Sequence, residues 1–365
     1  MAQKEVLNKK LEELKTEYSK TKYNKATNKH LGILRAKISD IKKEIVLSNK
    51  KIKGSGFFVK KHGDATVALI GFPSVGKSSL INLITNANSK TAQYAFTTTQ
   101  IIQGIMNFNN AKIQIIDTPG MIKDAHLGVG NGRTVIASLR IADLIAFVVD
   151  VLDINSLDIL IDELKSLDIF INKNKPDIKL IKTDSNGMII PINKSGISDE
   201  IIKIILSDFG IHNATISLKE AIDEGELIAN ISNKAFYIRS IIILNKIDLK
   251  KDYRNLINLM AKKYNMKIIP ISTIKKINID LLKEEFYKNL DIMTIYLKPK
   301  DNKELDPIIV KKGVNVGNIA KKLHSSVFNE FKCAYITGKS VKFSNQKVGI
   351  NHKLENEDII TFITK

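Results

Sequence analysis

The chain has 365 residues, an apolar fraction of 44% and a formal net charge of +19. Its length favours two to four domains over one, and no apolar run approaches the roughly 20 residues that a membrane-spanning helix needs. The single cysteine, Cys333, excludes an internal disulfide, and the sequence has no Cys/His cluster suited to zinc. The first residues lack the apolar segment of a signal peptide, so we expect a soluble, cytoplasmic protein.

The amino-terminal region is the most basic part of the chain. Residues 1–62 hold 17 Lys and Arg against 6 Asp and Glu, which favours a polyanionic partner such as RNA or the ribosome. The alternative is that these lysines only form a solvated surface. Leucines and isoleucines recur at spacings of three and four on both sides of residues 19–24, and this pattern predicts two helices. We therefore expect a basic helical hairpin and linker over residues 1–63.

A glycine-rich loop follows the apolar run 66–70 and precedes a second, helix-like apolar run. Its residues are Gly71, Phe72, Pro73, Ser74, Val75, Gly76, Lys77, Ser78 and, in the first helical turn, Ser79. A strand, a glycine-rich loop and a helix are the context in which this motif binds phosphate. Backbone N–H groups and the helix N-terminus would cradle the phosphates, Lys77 would reach the outer ones, and Ser78 would hold Mg²⁺.

A threonine run lies between this loop and the next acidic motif. Thr97, Thr98 and Thr99 follow Phe96, and a GTPase uses a threonine in this position to close on Mg²⁺ and the γ-phosphate. We predict that Thr98 is the metal ligand, with Thr99 as its rival. Phe96 and Thr97 are expected to lie at the same nucleotide site.

An acidic motif ends the strand-like run 113–116. Its residues are Asp117, Thr118, Pro119 and Gly120. We expect Asp117 to hold Mg²⁺ through water and the N–H of Gly120 to approach the γ-phosphate, so that loss of that phosphate releases the segment. Thr98 and Gly120 are therefore the candidates for contact with the reacting phosphate.

Met121 stands where Ras-like GTPases have the glutamine that orients the attacking water. A thioether cannot orient water in this way, so slow intrinsic turnover is predicted. The group that activates the water stays open among a partner's residue, a monovalent cation and another polar side chain of the segment.

A guanine-recognition motif follows the strand-like run 241–244. Its residues are Asn245, Lys246, Ile247 and Asp248. Asp248 can accept hydrogen bonds from the ring N–H and the exocyclic amine of guanine, whereas adenine would leave it unpaired at a cost of about 1–3 kcal/mol. Asn245 would brace the loop, and the stem of Lys246 would cover the base. A last strand, 267–271, brings a further predicted contact segment to the base, namely Ile271, Ser272 and Thr273.

Alternating strands and helices predict an α/β fold in which a doubly wound, mainly parallel sheet holds the ligand at the carboxyl ends of its strands. We assign this nucleotide-binding domain to residues 64–160 and 237–290. An inserted small α/β domain is expected over 161–236, with strands at 178–182 and 187–191 and helices at 199–209 and 218–229. A single helix, 316–324, among short strands predicts a β-grasp domain over 291–365, with Lys339, Lys342 and Lys347 as a candidate basic surface.

The motifs resemble those of the Obg-related GTPases and, within them, the developmentally regulated GTP-binding (DRG) proteins. Further matches extend over the basic arm, the insert and the carboxyl-terminal region, at residues 24–27, 30–32, 34–37, 211–214 and 338–342. The resemblance covers nearly the whole chain and includes the domain order. The carboxyl-terminal domain is similar to a TGS domain, which in other proteins contacts RNA or the ribosome, and the insert is similar to a ribosomal-protein-like fold.

The resemblance implies a Mg²⁺-dependent, K⁺-stimulated GTPase that associates with translating ribosomes and with a small stabilising partner protein. We expect the chain itself to be a monomer. Ser74 stands where many K⁺-activated GTPases of other families have Asn, which leaves the ion's ligand open. Thr118 and Thr273 replace the Leu and Ala that are usual in DRG proteins, changes that we expect to be tolerated.

Two other functions are compatible with these motifs. One is a GTP-dependent binding module with negligible turnover in the absence of its partner. The other is an RNA-processing factor. Single-turnover hydrolysis with and without ribosomes and K⁺ distinguishes the binding module from an enzyme. Identification of the crosslinked RNA tests whether the protein is an RNA-processing factor.

Overall fold

The computed structural model describes residues 63–85, 91–92, 101–118, 138–298 and 305–364, together with Glu13 and Thr16. The predicted helical hairpin lies outside the described residues apart from Glu13 and Thr16, which are both helical. The threonine segment 96–99 and the residues Pro119, Gly120 and Met121 also lie outside them. The described chain divides into two compact units, Leu164–Tyr237 and residues 63–163 with 238–364. None of the described helices is long and apolar enough to cross a bilayer.

The larger unit is built on a central sheet with the strand order β11-β10-β5-β1-β4-β3-β2. The strands are β1 Ala65–Ile70, β2 Thr91–Ala92, β3 Ile101–Phe108, β4 Ala111–Asp117, β5 Leu144–Asp150, β10 Phe236–Asn245 and β11 Ile268–Pro270. β1 pairs in parallel with β4 and β5, and β10 with β5 and β11. The middle strands are buried on both faces, which explains their continuous apolar sequences. The prediction of a doubly wound sheet is confirmed.

Helices cover this sheet and connect its parallel strands. They are α1 Lys77–Ile84, α2 Ser156–Ser166, α5 Tyr253–Tyr264 and α6 Ile279–Asn289. Leu80 and Ile81 of α1 and Phe286 of α6 are fully buried in one apolar core with the sheet. The parallel strands therefore end at one edge, where the chain leaves β1, β4, β5, β10 and β11 for the loops that carry the predicted site.

Strand β3 is an antiparallel addition that the sequence analysis did not predict. It pairs with β4 from Gln103 to Phe108, through a tight turn at Asn109 and Asn110. Both asparagines have positive φ, 47° and 63°, as the favoured two-residue hairpin turn requires. Gly104 lies inside the strand because a Cβ there would overlap the side chain of Thr85.

The carboxyl-terminal part of the same unit forms a second sheet with the order β13-β12-β16-β14-β15. Its elements are β12 Ile292–Leu297, β13 Asp306–Lys311, α7 Val316–Leu323, α8 Ser325–Asn329, β14 Phe331–Thr337, β15 Gln346–Val348 and β16 Ile359–Thr364. The prediction of a single helix is wrong at its end, because His324 adopts extended angles and its ring accepts a hydrogen bond from the N–H of Ser326. A short second helix therefore starts at Ser325.

The two sheets of this unit share apolar and charged contacts. Ile292 and Ile309 belong to the core of the central sheet, and Lys311 lies 3.1 Å from the carboxylate of Asp143.

The unit Leu164–Tyr237 contains a three-stranded sheet with the order β7-β9-β8. The elements of this unit are β6 Ile169–Ile171, which is not part of that sheet, β7 Ile178–Lys182, β8 Met188–Asn193, α3 Asp199–Asp208, β9 Ala214–Leu218 and α4 Glu224–Ile231. The predicted helix 218–229 is wrong at its start. Leu218 ends a strand of alternating burial. Helix α4 begins only after Asp223, the N-cap residue, whose side chain accepts a hydrogen bond from the N–H of Glu226.

Candidate nucleotide-binding site

The loop between β1 and α1 is held in a conformation that only glycine allows at two positions. Gly76 has a φ of 98°, and a Cβ there would overlap Asn245 Nδ2; a Cβ at Gly71 would overlap the carbonyl oxygen of Val148. Pro73 and Ser74 form its exposed turn, and Ser74 also has a positive φ of 63°. The loop thus lies close to the ends of β5 and β10 and opens towards solvent at its tip.

Lys77 folds back across this loop. Its Nζ donates to the carbonyl oxygens of Gly71 and Phe72 at 2.9 and 3.1 Å. The same Nζ lies 4.0 Å from Asp117 Oδ1. Burial lowers the pKa of Lys77, and the carboxylate of Asp117 opposes that shift. The ammonium is therefore positioned at the mouth of the loop, where a bound phosphate would meet it.

Asp117 and Ser78 form a pair of oxygen donors beside Lys77. Ser78 Oγ donates to Asp117 Oδ2 at 3.2 Å, while Asp117 Oδ1 is buried and has no hydrogen-bond partner among the described residues. Burial raises the pKa of Asp117, against the opposing charge of Lys77 and the hydrogen bond from Ser78. An orphaned carboxylate oxygen next to a hydroxyl fits a hard cation such as Mg²⁺. In the described part of the chain, no group of three or more His, Cys, Asp or Glu side chains is placed to hold a metal ion.

Thr118 anchors the end of β4. Its side chain is fully buried, and both its Oγ1 and its backbone N–H donate to the carbonyl oxygen of Leu69, at 2.7 and 3.2 Å. The hydroxyl that replaces the usual leucine side chain thus has a structural partner. Ser79, one turn into α1, is exposed.

Asn245 connects the phosphate loop to the two loops that follow β10 and β11. Its buried Nδ2 donates to the carbonyl oxygen of Val75 at 2.8 Å and lies 3.4 Å from Thr273 Oγ1. Its Oδ1 accepts the N–H of Thr273 at 3.2 Å. One amide therefore joins three segments that are far apart in the sequence.

Asp248 is held by a neighbour from the loop after β11. Ser272 Oγ donates to Asp248 Oδ1 at 2.5 Å and accepts the N–H of Lys275 at 3.0 Å. Ile247 and Ile271 are buried, and the N–H of Ile247 donates to the carbonyl oxygen of Ile271. In the described part of the chain, no group donates a hydrogen bond to Asp248 Oδ2. This oxygen therefore remains available to a ligand.

Lys246 has a partner that the sequence analysis missed. It adopts a left-handed conformation, φ 63°, and its Nζ lies 2.7 Å from Asp150 Oδ2. Asp150 Oδ1 accepts the N–H of Leu152 at 2.9 Å. The signal was present in the sequence, since Asp150 ends a buried strand, and the register of β5 and β10 pairs it with Asn245.

Four of the five predicted segments have described residues, and these residues meet at one edge of the sheet; the threonine segment is the fifth and lies outside them. One end of the site offers an ammonium, a hydroxyl and a carboxylate, and the other offers an oriented carboxylate beside a lysine stem. This is a distribution that suits a triphosphate at one end and a hydrogen-bonding base at the other.

Comparison with known proteins decides the family. The chain is 36% identical to human developmentally-regulated GTP-binding protein 2 over 98% of this chain and 99% of that protein. The chain belongs to the DRG family of GTPases. Its P-loop fold and its hydrolase class follow from that membership.

Further comparisons place the parts of this DRG-family GTPase. Residues 66–194 match a family model described as 50S ribosome-binding GTPase, residues 186–292 the C-terminal region of that domain, and residues 293–364 the TGS domain. An uncharacterized GTP-binding protein of Methanocaldococcus jannaschii is 39% identical over 96% of this chain and 91% of that protein. The solved YchF GTPase of Schizosaccharomyces pombe is 15% identical, covering 83% of this chain and 99% of that one with a TM-score of 0.49.

Proposed function

We propose that this DRG-family GTPase is a Mg²⁺-dependent switch that associates with the ribosome or with RNA during translation in the cytoplasm. The observation that carries the nucleotide-dependent part of the proposal is the amide of Asn245, which connects the phosphate loop to the base-recognition loop through its 2.8 Å hydrogen bond to Val75. The phosphate end and the base end thereby belong to one hydrogen-bonded site.

The residues of the site have distinct proposed roles. The backbone N–H groups of residues 71–79, except Pro73, which has none, and the ammonium of Lys77 bind the phosphates, and Asp248 with Ser272 selects guanine. Ser78 and Asp117 hold Mg²⁺, which neutralises charge on the transferring phosphate when bound. Outside the described residues, Thr98 is the proposed third metal ligand, and Gly120 with Thr98 contacts the γ-phosphate.

Turnover is proposed to be slow without a further component. Met121 supplies no group that orients water, and about 10⁻⁴–10⁻³ s⁻¹, the range of unassisted Ras, is the expected scale. We also propose that K⁺ stimulates turnover and that a small partner protein stabilises the chain. Both of these proposals rest on the resemblance to the DRG family. The chain is proposed to be a monomer.

The domain limits are proposed as 1–63, 64–160 with 237–290, 161–236 and 291–365. The net charge of +19, concentrated in the first 62 residues, supports contact with a polyanion. The description of the matching family model as a ribosome-binding GTPase supports the ribosome as that polyanion.

Sedimentation with ribosomes tests this proposal. The protein is expected to co-sediment more strongly with a non-hydrolysable GTP analogue than with GDP, and a chain that sediments equally in both states, or in neither, contradicts it. Single-turnover hydrolysis in K⁺ and in Na⁺, with and without ribosomes, then tests the stimulated turnover. If the hydrolysis rate increases under none of these conditions, the protein acts as a GTP-dependent binding module and the proposed stimulated switch is wrong.

A further inference from the structure

A cleft opens where the carboxyl-terminal sheet meets the start of the nucleotide-binding domain, and it has a volume of about 440 Å³. Its floor consists of buried side chains of β13 and α7, namely Ile309, Val310 and Ile319. Ile309 belongs to the core of the central sheet, and the other two belong to the core of the carboxyl-terminal sheet. The cleft therefore lies at the junction of two hydrophobic cores, and its volume is in the range of pockets that bind apolar groups.

Ammonium groups stand at the rim of this cleft. Lys311, Lys312 and Lys322 line it and are exposed. Lys322 Nζ donates to the carbonyl oxygen of Ile309 at 2.7 Å, which holds this ammonium at the cleft. A pocket with an apolar floor and cations at its rim suits an aromatic ring, because the ring buries apolar surface and its face attracts a cation.

The chain that precedes β1 enters the domain at the same cleft. Asp64 lines it and is fixed against Lys112. The carbonyl oxygen of Lys112 accepts the N–H of Asp64 at 2.7 Å, and the N–H of Lys112 donates to Asp64 Oδ2 at 2.8 Å. Gly63 has a φ of 91°, and a Cβ there would overlap the carbonyl oxygen of Lys112. The residues before Gly63 therefore start at the edge of the cleft.

The sequence just before this point contains an apolar segment that lies outside the described residues. Its residues are Phe57, Phe58 and Val59, which follow Gly54-Ser55-Gly56 and precede Lys60, Lys61 and His62. Contact of three adjacent apolar side chains with water is unfavourable, so an apolar surface within reach would stabilise this segment. The six residues from Phe58 to Asp64 span at most about 20 Å, which brings the cleft within reach.

We propose that the segment 57–59 binds in this cleft, with the rings of Phe57 and Phe58 on the apolar floor and the lysine ammonium groups beside them. The short connection to Asp64 favours this occupant over a free ligand or a second copy, because it holds the segment at an effective concentration on the order of millimolar. The contact connects the basic amino-terminal region to the junction of the two sheets. It goes beyond the proposed function and does not depend on it.

Tryptophan fluorescence of the full-length protein tests this contact, because the chain has no tryptophan of its own. The single fluorophore of Phe58→Trp is expected to be quenched by acrylamide at least about threefold less than that of Phe343→Trp, since a ring in the cleft is shielded from solvent. Phe343 is the matched control because it is 64% exposed. Val314→Asp places a charge in the wall of the cleft and is expected to remove the protection of Phe58→Trp.

Limited trypsin digestion of the full-length protein provides a second test that leaves the cleft itself unchanged. Cleavage after Lys60 is expected to be slower than cleavage after Lys53, on the other side of the glycines. The double substitution Phe57→Ala and Phe58→Ala is expected to accelerate cleavage after Lys60 at least about tenfold, because cleavage follows the unbound fraction of the segment. Ile52→Ala changes another apolar residue of the same stretch and is the matched control, which should leave that rate unchanged.

Several results would overturn the proposal. They are equal quenching in Phe58→Trp and Phe343→Trp, protection that survives Val314→Asp in a folded protein, a rate of cleavage after Lys60 that the double substitution leaves unchanged, or an equal acceleration in Ile52→Ala. These results would leave the cleft to another occupant, such as an anionic ligand or a second copy. Neither measurement requires nucleotide or ribosomes, so failure of this inference is distinguishable from failure of the proposed function.

Discussion

Ser272 Oγ donates a 2.5 Å hydrogen bond to Asp248 Oδ1, so the residue that would read guanine is oriented by a hydroxyl from the next strand's loop. Ser272 is itself fully buried and fixed by the N–H of Lys275. A buried hydroxyl with two partners holds the carboxylate in one rotamer before any ligand arrives. Pre-organisation of this kind lowers the entropic cost of binding.

Ser272→Ala is expected to weaken GTP and GDP binding by roughly tenfold to a hundredfold, because the loss of one hydrogen bond to a charged group costs on the order of 1.5–3 kcal/mol. Titration calorimetry measures the change. Thr273→Ala is the matched control, since its hydroxyl makes only a 3.4 Å contact with Asn245 and its backbone contact remains. A Thr273→Ala loss as large as that of Ser272→Ala would contradict the assignment.

Gly76→Ala is expected to reduce nucleotide affinity by at least about tenfold. The added Cβ meets Asn245 Nδ2, and the φ of 98° is strained for any other residue by about 1–3 kcal/mol. Gly349→Ala is the control, because a Cβ there meets no atom within 4 Å. Dissociation rates of a fluorescent GDP report the effect, and an unchanged rate in Gly76→Ala would show that the loop is not at the binding site.

Asp150→Asn is expected to speed GDP release about threefold to fivefold. The substitution removes the half-buried ion pair to Lys246, worth on the order of 1 kcal/mol, yet keeps an oxygen for the N–H of Leu152. Asp150→Ala removes both contacts and should release GDP faster still. Identical release from both variants and the unmodified protein would exclude a positioning role for Asp150.

A polar network in the unit 164–237 gives a prediction about stability. Burial raises the pKa of Tyr237, so its hydroxyl stays protonated and donates to Glu226 Oε1 at 3.0 Å. Glu226 is 1% exposed and is also paired with Lys173 at 2.8 Å. Tyr237→Phe leaves one buried carboxylate oxygen without its donor.

Tyr237→Phe is therefore expected to lower local stability by about 1–3 kcal/mol. Hydrogen exchange of amides in α4, residues 224–231, measures that loss. Tyr264→Phe is the control, because Tyr264 donates at 2.9 Å to the more exposed Asp158 outside this unit and the substitution should leave the protection of α4 unchanged. Equal protection of α4 in Tyr237→Phe and the unmodified protein would contradict the stabilising role.

The sequence predicted the parallel strands well because burial on both faces leaves long apolar runs, as in Ala65–Ile70 and Leu144–Asp150. It failed for β3 and β13, which are not such runs. β3 contains Gly104 and polar residues, and its only hairpin signal is the pair Asn109-Asn110, whose positive φ angles form the turn to β4. β13 begins at Asp306-Pro307, which favours a turn, yet forms a strand by antiparallel pairing with β12.

The limits of the sequence at the site are of a different kind. Local motifs identified Lys77, Asp117 and Asp248, because each motif has a fixed spacing around a loop. The partners Asp150 and Ser272 act across strands, through the pairing of β5 with β10 and of β10 with β11. Ser272 was predicted as a contact to the base, but its hydrogen bond to Asp248 depends on tertiary geometry that no spacing encodes.

The central claim is that one site holds a triphosphate at Lys77 and reads guanine at Asp248. Titration calorimetry of GTP, ATP and xanthosine triphosphate in the presence of Mg²⁺, with the unmodified protein and Asp248→Asn, tests it most directly. The claim predicts binding of GTP but not ATP by the unmodified protein, and weaker GTP with stronger xanthosine triphosphate binding by the variant. ATP bound as tightly as GTP, or a variant with unchanged GTP affinity, would contradict it.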